Sequence, residues 1–180
     1  MLKYFSILLF STLVLFSCRQ KADQEKATLF AMHIHKATTG VTKATQQAFV
    51  DTMTLALKTI QQDRTATIDT KALRVLLNKA QEANRKSFTE LNSLTEVDNT
   101  INLKEKALAE NEMFRSLYEH EFNSIIDALE SKAPDKMTIL DHLIAAFSAK
   151  EDTIRTTQRN AKEAGYDFEK KYDIKMPESE

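Results

Sequence analysis

Four histidines are the side chains of this 180-residue chain best suited to holding a metal: His33, His35, His120 between Glu119 and Glu121, and His142 beside Asp141. Residues two apart on a helix face different ways, so His33 and His35 chelate jointly only in an extended segment. A di-iron site in a helical bundle draws on Glu-x-x-His, and the residues three before the four histidines are Phe30, Met32, Leu117 and Ile139. The spacing therefore predicts no bound metal, with the histidines solvated or locally paired. Met32, Met53 and Met137 offer haem ligands to complement a histidine, but methionines on helical stripes usually fill cores. No Cys-x-x-Cys-His is present to attach haem covalently. A hydrolytic nucleophile needs a turn, a base and an oxyanion site, and a phosphate needs glycine-rich backbone at a helix start. With one cysteine, two glycines and no Gly-x-Ser-x-Gly, the chain carries neither pattern and reads as non-enzymatic.

Two further polar residues matter for the pattern they interrupt. Leu140, Ile144, Phe147, Glu151, Ile154, Gln158, Ala161, Gly165, Phe168 and Tyr172 follow 4,3 spacing, a heptad seam in which Leu or Ile would pack better than Glu151 and Gln158. The pair either sets register and wets the seam, or lines a polar cleft for a small ligand in which Glu151 needs a basic partner. Asp51-Thr52-Met53 and Asp152-Thr153-Ile154 resemble a short O-glycosylation motif, but three residues specify little and neither is expected to be used.

The elements that must position these residues are helices. Helix-forming Ala, Leu, Lys, Glu and Gln dominate, with only two glycines and two prolines, so few tight turns are expected. Pro134 marks a break before a last helix predicted from about Pro134 to Lys171. Asn102 with Glu105 reads as a capping box opening a helix from about Leu103 to Ser131. Asp69 or Thr70 opens another through Leu73, Leu77, Phe88 and Leu91, with the turn between Ser93 and Ile101. Phe49, Met53, Leu57 and Ile60 define the first helix, its stripe extending back through Phe30 and Ile34, and the pattern leaves open whether the helix is continuous through Gly40 or kinks there. Short connections predict an all-α, up-down-up-down four-helix bundle with long first and last helices. The excess length of those two helices predicts a two-helix stalk in which Phe30 and Ile34 meet Phe168 and Tyr172.

The remaining chemistry lies at the start. One positive charge, Lys3, precedes an apolar run from Phe5 to Phe16, the n- and h-regions of an export leader. As a helix, a run of about a dozen residues covers roughly 18 Å, short of the roughly 30 Å hydrocarbon core. The run ends in Leu15-Phe16-Ser17-Cys18, which resembles the bacterial lipobox. That resemblance implies cleavage after Ser17 and lipid on Cys18, several acyl chains making a lasting anchor where one would be marginal. Phe16 is larger than the usual residue at its position. Cys18 is also the only cysteine, so stability must come from packing and not disulfides.

The predicted organisation is a signal peptide at 1–17, a lipidated cysteine and charged tether at 18–28, a bundle at 29–176 and a tail at 177–180. Arg19, where an enteric sorting rule would place an aspartate for inner-membrane retention, favours the outer membrane. Removing the leader takes away Lys3 and leaves a net charge near -2, no basis for holding nucleic acid through counterion release. The whole layout resembles small helical surface lipoproteins of Gram-negative bacteria, a group without an assigned activity. The expected function is a non-enzymatic interaction module that binds another envelope protein, membrane-attached through its lipid and needing no other cofactor. The alternative is a periplasmic or surface carrier of a small ligand or metal within the bundle.

Overall fold

The computed structural model describes residues 23–39 and 41–175, apart from the side chain of Val41. The leader, the lipobox and Cys18 lie outside these residues, as does the predicted tail. The described chain is all-α, a helical bundle without strands. Its elements are α1 (residues 23–38), α2 (Val41–Gln62), α3 (Thr70–Ser93), α4 (Leu103–Leu117), a π-helical turn (Tyr118–Phe122), α5 (Asn123–Glu130), α6 (Lys136–Ser148) and α7 (Glu151–Tyr172).

The helix starts obey local chemistry, though not always the predicted residue. Asp69 caps α3, its carboxylate accepting from the Ala72 N–H at 3.0 Å. Asn102 does not cap α4: it adopts a left-handed conformation, φ 56°, and its side chain makes no capping bond. Glu96 does the work from the preceding loop, accepting from the N–H groups of Lys104 at 2.9 Å and Val97 at 3.1 Å. The bundle also begins earlier than predicted. Residues 23–28, assigned to the tether, are helical, and Ala27 is fully buried.

The two long outer helices are each broken. Between α1 and α2 the chain bends at Thr39, next to Gly40, where the sequence left the continuity of the helix open. The predicted continuous last helix is instead α6 and α7, because Ala149 and Lys150 leave α geometry (ψ -17° and -7°) and the Lys150 N–H bonds to Phe147 O at 2.9 Å, one residue short of the α partner. Lys150 pairs there with Glu121 of the π turn. The π turn has its own logic. Leu103, Ala107 and Asn111, then Tyr118, Phe122 and Ile126, recur every four residues and are all buried. An α-helix drifts about 40° at each such step, and one wider turn restores the phase.

Two separate cores result. The first gathers Phe49 and Met53 of α2, Leu73 and Leu77 of α3, Tyr118 and Phe122, Ile125 and Ile126 of α5, and Leu140 of α6. Aromatic rings tie it together: Phe49 meets Phe122 at 5.0 Å and Tyr118 at 5.8 Å, both edge-on, and Phe122 meets Phe147 at 5.2 Å. The second gathers Phe30 and Ile34 of α1, Leu91 of α3, Leu103 and Ala107 of α4, and Phe168 of α7. Phe30 and Ile34 thus join Phe168 and Tyr172 as predicted, but not as a two-helix stalk. The end of α3, the start of α4 and loop residues Val97 and Ile101 close the same core, because α3 and α4 run far enough to reach it.

Candidate functional site

The two cores meet at a polar waist. Asn84 of α3 and Asn111 of α4 are buried there and exchange reciprocal bonds, each amide donating to the other's backbone carbonyl at 3.0 and 3.2 Å. Among the described residues, their Oδ1 atoms and the buried Ser87 hydroxyl have no hydrogen-bond partner. Buried amides of this kind fix the pairing of α3 and α4 at some cost in stability.

Beside α4 the bundle opens into a groove of about 890 Å³, walled by the end of α1, the start of α2, α4 and α7. The volume falls within the range of small-molecule sites, roughly 300–1,000 Å³. Its depth is apolar: Ile34, Leu103 and Ala107 are buried, with Ala161 and Gly165 half-buried. Lysines outnumber acids around it, with Lys43, Lys162 and Lys175 exposed and Glu169 half-buried, and the Lys162 ammonium lies 5.6 Å from the centre of the Tyr166 ring. The wall of α7 is the middle of the heptad seam, where Gln158, Ala161 and Gly165 replace large apolar residues. The groove is the space those residues leave.

Glu110 of α4 is the acid of this groove. Half-buried, it has no hydrogen bond or ion pair among the described residues, and burial pushes its carboxyl up to about 7. Gly165 faces open space: beyond its chain neighbours and its own helix backbone, a Cβ added there would meet no atom of the described residues within 4 Å. A mid-helix glycine costs about 0.5–1 kcal/mol relative to alanine, and no close packing requires it here.

The predicted site residues fall out differently. Gln158 and His35 line the groove, whereas Glu151 does not. Glu151 and Gln158 are both exposed, so the proposed cleft between them is not formed. Glu151 stands in the first turn of α7, where the helix dipole favours a carboxylate. His33 and His35 share α1, His120 is in the π turn and His142 on α6, and all but His35 are exposed. Among the described residues no three His, Cys, Asp or Glu side chains gather as a metal site. Thr52 of the first Asp-Thr motif donates its hydroxyl to Ala48 O at 2.8 Å. Met53 lies in the first core, Met137 packs against it, and Met32 is exposed.

Sequence reading missed Glu110, one carboxylate among 26 acidic residues. The available signal was its spacing: Leu103, Ala107 and Glu110 recur at 4,3, which puts the acid on the buried face of α4. No family model, curated protein or solved structure matches the chain. Among the described residues no helix is long and apolar enough to cross a membrane.

Proposed function

We propose that this chain is a bacterial envelope lipoprotein, attached to the outer membrane through lipid on Cys18, whose bundle is a non-enzymatic module for binding another envelope protein. The attachment is supported by the lipobox-like Leu15-Phe16-Ser17-Cys18. Cys18 is five residues from the first described residue of α1, so the fully extended reach between them is at most roughly 18 Å. The bundle is therefore held close to the membrane.

The observation that favours partner binding is on the outer face of α1. Leu29 and Met32, one turn apart, are 60% and 52% exposed, while Ala27, Phe30, Ala31 and Ile34 on the inner face are buried. Lys26, His33 and Lys36 flank them, all exposed. Neighbouring exposed apolar side chains with a polar surround offer a small core and rim of the kind a contact site uses. The test is a photo-crosslinking amino acid placed at Leu29 or Met32 in intact cells, with mass spectrometry of the products. One recurrent protein crosslinked from these positions but not from Leu55, exposed on α2, is the expected result. Crosslinks to lipid alone, or the same products from Leu55, would overturn the reading.

A further inference from the structure

The groove between α1, α4 and α7 asks for an occupant whatever tethers the bundle or binds α1. Three features define that occupant. The depth is apolar, the exposed lysines sit at the mouth, and the volume of about 890 Å³ holds one chain of a small amphiphile. We infer that the groove binds a single-chain amphiphile with an anionic head, the head at Lys162 and Lys175 and the chain against Ile34, Leu103, Ala107 and Gly165. This goes beyond the partner reading and is independent of the anchor.

Charge decides between an anionic and a cationic head. A cation would be attracted by Glu110 and Glu169 but must pass Lys43, Lys162 and Lys175, which face the groove from α2, α7 and the chain beyond it and outnumber the two acids. An anion meets those lysines first, and Glu110 lies among the apolar residues where the chain would rest. There, burial holds its carboxyl up to about 7, so near neutral pH it is neutral in a large fraction of molecules and compatible with a chain beside it. The other ionisable groups facing the groove are His35 on α1, and Tyr166 and Glu169 on α7. Gly165 supports the same reading. Alanine would be a better helix former and meets no obstacle, yet the position is left without a side chain on the groove wall.

The probe is 1-decanesulfonate, below its micellar concentration, titrated into the full-length protein by calorimetry; its head stays ionised throughout the pH range used. Stoichiometric binding is expected at pH 6, falling roughly tenfold by pH 8.5 as Glu110 ionises. Glu110→Gln should flatten that profile, and His35→Gln should not. Gly165→Leu should weaken binding at least roughly tenfold by filling the groove, as should Lys162→Glu with Lys175→Glu by repelling the head. Circular dichroism checks that each variant folds; if Gly165→Leu does not, the exposed lysine pair decides. No saturable binding, affinity unchanged in the lysine pair, or equal affinity for decyltrimethylammonium would overturn the inference.

Discussion

The ring of Phe30 lies 5.5 Å from the ring of Phe168, tilted by 46°, so residues near the two ends of the described chain share one core. Phe168 is fully buried and also meets Tyr172 at 4.7 Å. This contact joins the helix nearest the predicted anchor to the last helix.

Phe168→Ala should therefore cost about 3–5 kcal/mol, the range for deleting a buried aromatic ring. Urea unfolding monitored by circular dichroism measures it. With Phe30→Ala in a double-mutant cycle, the coupling should be about 0.5–1.5 kcal/mol. Additive losses would mean the rings pack independently.

Asp98 should make the bundle acid-sensitive. It is almost fully buried in the α3–α4 loop, where it accepts from the Thr100 N–H at 2.9 Å, the Thr100 hydroxyl at 2.6 Å and the Tyr172 hydroxyl at 3.3 Å, and pairs with Lys171. Burial alone would raise its carboxyl, but the bonds from Lys171 and Thr100 outweigh burial and hold it well below the ordinary 3.8. A depressed carboxyl stabilises the fold fully above its ordinary value, and that contribution is lost as pH falls below it. Asp98→Asn should cost about 1–3 kcal/mol at pH 7, and the gap from the wild type should narrow as pH drops from 5 to 3 in parallel unfolding curves.

Gly165→Ala should stabilise the protein by about 0.5–1 kcal/mol, since its Cβ meets no neighbouring element among the described residues within 4 Å and α7 gains a better helix former. Thermal unfolding reads this as a higher Tm. A loss of stability would mean the groove wall is closed in solution.

Much of this fold was written in local patterns. Leu73, Leu77, Ala80 and Leu91 mark the buried stripe of α3 by spacing alone, and Asp69 announces its start. The break at Ala149–Lys150 was not legible, because the heptad runs through it and alanine favours helix. The break becomes intelligible only with Glu121 present to receive Lys150 and Phe122 to receive Phe147. The π turn was hidden for the same reason: steps of four residues read as one stripe until Tyr118 and Phe122 must both reach Phe49. At the candidate site, Gln158 stood out as polar in an apolar seam. Glu110 did not, since a helical carboxylate acquires meaning only from what packs around it, here α1 and α7.

The envelope reading stands most directly on Cys18, and the mass of the N-terminal peptide from protein purified out of bacterial membranes tests it. Cleavage after Ser17 with Cys18 carrying acyl chains is the predicted result, and Cys18→Ser should leave the leader in place and abolish the added mass. An N-terminal peptide that still contains Leu15-Phe16-Ser17, or a Cys18 without lipid in the mature protein, would contradict the account.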